Sequence, residues 1–118
     1  MSLTDLNAEE LNIVAQCLRA AVYGPFFDEH SFQSLLGVSR SEAKVVADQF
    51  PNVDEFDDGA EGNDDAWLVI NNALVNLLDY PHGHESSWAQ FITVTPQQVR
   101  QVFEKWRSTS LPSVAGRR

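Results

Sequence analysis

Residues 39–50, Ser-Arg-Ser-Glu-Ala-Lys-Val-Val-Ala-Asp-Gln-Phe, and residues 95–106, Thr-Pro-Gln-Gln-Val-Arg-Gln-Val-Phe-Glu-Lys-Trp, decide the fold, because both open on one signal and repeat one apolar spacing. Ser39 with Glu42, and Thr95 with Gln98, are the parts of a capping box. In that motif a hydroxyl accepts the backbone N–H three residues on, and the longer side chain returns to the cap's own N–H. Pro96 suits the first helical position, where an N–H would have no intrahelical acceptor. Ala43, Val46, Ala47 and Phe50 then fall on one stripe, as do Val99, Val102, Phe103 and Trp106. Each stretch predicts a helix.

The two stretches lie 95 − 39 = 56 positions apart, and the same offset brings residues 7–50 onto 63–106 without a gap. Asn7, Leu18, Pro25, Glu29, Ser31, Val38 and Val46 meet their identities, and Ile13, Phe32, Leu35 and Phe50 meet Val69, Trp88, Phe91 and Trp106. Each copy reads as three helices. The first starts at Asn7, with Glu10 completing its box and Leu6 and Leu11 placed as a hydrophobic staple, and it stops at Gly24-Pro25. Its counterpart uses Trp67, Ile70, Leu74 and Leu78 and ends before Pro81. Short second helices are expected from about Asp28 to Leu36 and from about His84 to Ile92. No stretch alternates with period two, so no sheet is expected. The predicted fold is all-α: six helices as two tandem three-helix units (about 7–50 and 63–107) in one domain with a pseudo-twofold axis. An acidic linker, 51–62, joins the units, and a polar tail follows from Ser108.

The chain has 118 residues, 43% of them hydrophobic, which is enough for one core without metal or disulfide support. It has no apolar run near the roughly 20 residues that cross a bilayer, and no basic, apolar leader pattern at its start. The lone Cys17 allows no internal disulfide, so the expected setting is the reducing cytoplasm, away from membranes. The net charge of −9 is lopsided: residues 1–62 carry twelve acids and three bases, whereas 63–118 carry five of each. Seven acids fall in the twelve positions from Asp54 to Asp65. Such a field repels phosphates and attracts basic protein surfaces.

Ser31–Phe50, with its Leu36-Gly37-Val38-Ser39 turn, resembles the DNA-binding helix-turn-helix family. That resemblance implies a second helix lying in the major groove, with Arg40, Ser41 and Lys44 near base edges. Copy two offers Arg100 and Lys105 at a more favourable local charge but has Thr93 where the turn glycine stands. Two bases against two acids in residues 39–50 weigh against nucleic acid as the partner.

Asp79, His82, His84 and Glu85 are side-chain types that ligate transition metals, and they cluster around Pro81. Without a second ligand pair, the simpler expectation is that they cap a helix and bind no metal. The linker imitates a calcium loop at Asp54, Asp58, Gly59 and Asp65, but Phe56 stands where an oxygen ligand belongs. Asn71, on the apolar stripe of the fourth helix near Asn72 and Asn76, is expected to tie a loop backbone to that helix. Cys17 is expected to be packing. No nucleophile with a base, phosphate loop or carboxylate pair can be placed, so neither catalysis nor a cofactor is expected. The functional expectation is a non-enzymatic interaction or regulatory module in which Asp54, Glu55, Asp57 and Asp58 contact a basic protein, with homodimerisation as a further option. A nucleic-acid regulator using Arg40, Lys44, Arg100 and Lys105 is the alternative, and a metal-binding protein using the histidine loop is the third.

Overall fold

The computed structural model describes residues 6–52, 66–80 and 82–110. Six α-helices run in chain order: α1 Ala8–Tyr23, α2 Glu29–Leu36, α3 Arg40–Gln49, α4 Ala66–Asp79, α5 Trp88–Phe91 and α6 Pro96–Ser110, with a 3₁₀ turn, Glu85–Ser87, leading into α5. Among the described residues there is no strand. None of these helices is long and apolar enough to cross a membrane.

Local chemistry sets the helix starts. Asn7 Oδ1 accepts the Glu10 N–H at 2.8 Å while Glu10 Oε1 accepts the Asn7 N–H at 2.9 Å. Ser39 and Glu42 repeat this reciprocal pair at α3, as do Thr95 and Gln98 at α6. Each pair satisfies two N–H groups that a helix start leaves open. Asp28 caps α2 through the Ser31 N–H at 2.8 Å. That helix ends at Gly37, whose φ of +84° is left-handed, and a Cβ there would lie 2.9 Å from Leu68 Cδ2. Only glycine meets both demands, so α2 can end hard against α4.

The core is centred on α1 and α4, which pack on each other. Each also packs on both α3 and α6. The short helices cross over, α2 against α4 and α5 against α1. Val14, Cys17, Leu18, Ile70, Ala73 and Leu74 are fully buried, closed over by Ala43 and Val46 from α3 and by Val99, Val102 and Trp106 from α6. Burying each large apolar side chain contributes about 1.5–3 kcal/mol, so this continuous layer is the main cohesive force.

Two expectations need correction. The second short helix was expected to be continuous from His84 to Ile92, but it is one 3₁₀ turn followed by four α residues. His84 supplies no side-chain cap, and Ile92 leaves in the extended conformation where α2 has its left-handed glycine. Here, too, the Trp88 indole N–H donates to the Val94 carbonyl at 2.7 Å and fixes the exit. The tail was expected to begin at Ser108, yet α6 continues to Ser110. Phe26 and Phe27, in the loop between α1 and α2, are core residues, 2% and 3% exposed.

Candidate functional site

The four cations that a nucleic-acid role would use are each bonded to a carboxylate of the fold. Arg40 is the most committed: Nε donates to Glu29 at 3.0 Å, Nη2 to the Phe27 carbonyl at 2.9 Å and Nη1 to the Val22 carbonyl. Its guanidinium also lies 4.3 Å from the centroid of the Phe32 ring. Arg40 thereby joins the end of α1, the α1–α2 loop and α2, which suits a planar fork with five donors. Lys44 pairs with Asp48 at 3.1 Å, Arg100 with Asp79 at 2.7 Å, and Lys105 with Glu10 at 2.9 Å.

All four pairs belong to junctions between helices: Arg40–Glu29 joins α3 to α2, and Lys105–Glu10 joins α6 to α1. The Tyr23 hydroxyl donates to Asp48 at 2.8 Å, and Arg19 approaches the same carboxylate at 3.8 Å, so α1 and α3 meet over one shared anion. The hydrogen bond from Lys44, followed by that from Tyr23, holds the Asp48 carboxyl below its usual range, and the bond to Asp48 raises Lys44. On the other side, the bond to Asp79 raises Arg100 and fastens α6 to the end of α4.

Between the end of α1 and the start of α3 lies an open groove of about 390 Å³, lined by Val22, Tyr23, Glu29, Arg40, Ser41 and Lys44 among others. Tyr23 stands 48% exposed, as does Val45 on α3; they are the exposed large hydrophobic side chains among the described residues. Sequence reasoning missed this groove, because Tyr23 reads as the last residue of a helix and the Arg40 contacts that shape the wall are long-range. A smaller recess of about 270 Å³ lies beside Glu85, Trp88, Ala89 and Pro96.

The histidine loop is occupied by its own structure. His82 Nδ1 accepts the His84 N–H at 3.0 Å, which leaves Nε2–H to donate to the Leu77 carbonyl at 3.1 Å. Both ring nitrogens are thus engaged, and Asp79 is turned to Arg100. His82 also meets Phe26 edge to face, with centroids 5.0 Å apart. Among the described residues no group of three or more His, Cys, Asp or Glu side chains is placed to hold a metal ion. Asp79 ends α4, His82 and His84 lie in the loop that follows, and Glu85 opens the 3₁₀ turn.

The asparagines divide their work differently from the expectation. Asn71 bonds side chains, accepting from Arg107 at 2.7 Å and donating to Asn72 at 3.1 Å. It is Asn72 and Asn76 that reach backbone, donating to the Leu36 and Leu35 carbonyls at 2.9 and 3.0 Å. These carbonyls end α2, so α4 supplies the partners that the helix end lacks. Cys17 is fully buried, and burial pushes its thiol pKa up, which makes it a poor nucleophile. Asp54, Glu55, Asp57 and Asp58, the proposed partner contacts, lie outside the described residues, as does the calcium-loop imitation.

Fold and surface together define an all-helical domain whose described cations are engaged internally. In comparisons with known proteins, no family model, no curated protein and no solved structure matches this chain.

Proposed function

We propose that this chain is a non-enzymatic protein-interaction or regulatory module whose acidic first half and linker meet a basic protein surface. The observation that carries the reading is the engagement of Arg40, Lys44, Arg100 and Lys105 with Glu29, Asp48, Asp79 and Glu10. Pairs of this kind cancel the local positive fields that phosphate recognition needs. Against them stand 17 acids and 8 bases in the whole chain, a net charge of −9 for the surroundings to balance. An unbalanced anionic surface steers basic partners towards it and raises their association rate.

A helix-turn-helix nucleic-acid binder is the second reading, favoured by the α2–Gly37–α3 shape itself. Its leading reader, Arg40, would have to leave two backbone carbonyls to touch a base. We place the protein in the cytoplasm on the strength of its free, buried Cys17, which suits a reducing compartment.

We also propose that the two halves are copies related by an approximate twofold axis. Several features support this. The ends of α1 and α4 (23 and 79), the starts of α2 and the 3₁₀ turn (29 and 85), and the starts of α3 and α6 (40 and 96) are each 56 apart. The pairings α1 with α5 and α2 with α4 exchange under such an axis, as do α1 with α6 and α3 with α4.

The interaction reading is tested by immobilising the full chain, identifying the proteins it retains from a lysate of its source, and repeating the capture with Asp54→Asn, Glu55→Gln, Asp57→Asn and Asp58→Asn combined. Loss of an enriched basic protein on neutralisation is the expected result. Undiminished retention would show that the acidic segment is not the recognition element.

A further inference from the structure

We draw no further inference here: the strongest candidate, the open groove of about 390 Å³ between the end of α1 and the start of α3 with Tyr23 exposed on its wall, carries nothing because nothing in the structure shows what covers it, and the pairing of Arg40 with Glu29 and of Lys44 with Asp48 leaves no charge preference to choose an occupant.

Discussion

Phe26 and His82 touch ring to ring, edge on, with centroids 5.0 Å apart, and they stand 82 − 26 = 56 positions apart in the chain. Under a twofold relation, a residue that touches its own counterpart sits beside the axis, so this contact locates the proposed axis between the α1–α2 loop and the loop after α4. Gln16 and Asn72 also stand 72 − 16 = 56 positions apart. Gln16 Oε1 accepts the Thr93 N–H at 2.7 Å, just past α5, and Asn72 donates to the Leu36 carbonyl at 2.9 Å, at the end of α2. Each side chain leaves a central helix, α1 or α4, to hold the end of a short helix, α5 or α2.

These two clamps share no partner and hold the ends of different short helices, so they should act independently. Asn72→Ala strands a part-buried carbonyl and is expected to cost about 1–2 kcal/mol, and Gln16→Ala, on a more exposed bond, less than that. Urea unfolding of both single variants and the double should give additive losses within about 0.5 kcal/mol. Strong coupling would mean that the two ends are not separate clamps.

The commitment of Arg40 changes how the nucleic-acid alternative has to be tested. Arg40→Ala removes the partner of two carbonyls and is expected to cost roughly 2–3 kcal/mol. Lys44→Ala, at an exposed i,i+4 pair, should leave the unfolding midpoint close to that of the parent. Lys44 is therefore the position at which a loss of DNA binding would report recognition rather than unfolding. Equal destabilisation by the two variants would contradict the placement of Arg40.

Gly37 and Gly83 both have positive φ, +84° and +76°, but differ in their surroundings. Alanine at 37 adds a 2.9 Å clash with Leu68 to the left-handed strain, whereas alanine at 83 meets nothing within 4 Å. Gly83→Ala should cost about 1 kcal/mol and Gly37→Ala about 2 kcal/mol or more, read from denaturant midpoints at a constant slope. The reverse order would place the tight approach of α2 to α4 in error.

Glu10 should be one of the carboxylates through which acid acts, beside Asp28 and Asp48. Hydrogen bonds from Lys105, followed by the Asn7 N–H, lower its carboxyl below the ordinary value of 4.5. Because the folded state holds the charged form better than the unfolded chain does, this contribution is complete above the ordinary carboxylate range. It is lost as pH falls through the lowered value. Stability measured from pH 7 down to 3 should therefore fall less steeply in Glu10→Gln than in the parent. Identical slopes would show that the bond between Glu10 and Lys105 contributes nothing to acid sensitivity.

What was legible in the sequence was local. The capping boxes at Asn7, Ser39 and Thr95 stand where spacing put them, because a cap needs only residues three apart. The stripes of α3 and α6 bury Val46 and Trp106 as their period requires. Phe26 and Phe27 were missed because a loop has no period to betray a core residue, and their burial depends on His82, Trp88, Phe91 and Tyr80 far along the chain. Arg40 was read as a surface cation for the same reason. Its acceptors, Val22 and Phe27, are 18 and 13 positions away and carry no side-chain signal of their role.

The most direct test of the central claim is to quantify, side by side, the protein and the nucleic acid that the immobilised full chain retains from lysate at low and near-physiological salt. The account predicts a basic protein retained at both, with nucleic acid no higher than on an uncharged control surface. Enrichment of DNA or RNA that survives near-physiological salt and disappears in Lys44→Glu would contradict it and favour the helix-turn-helix reading.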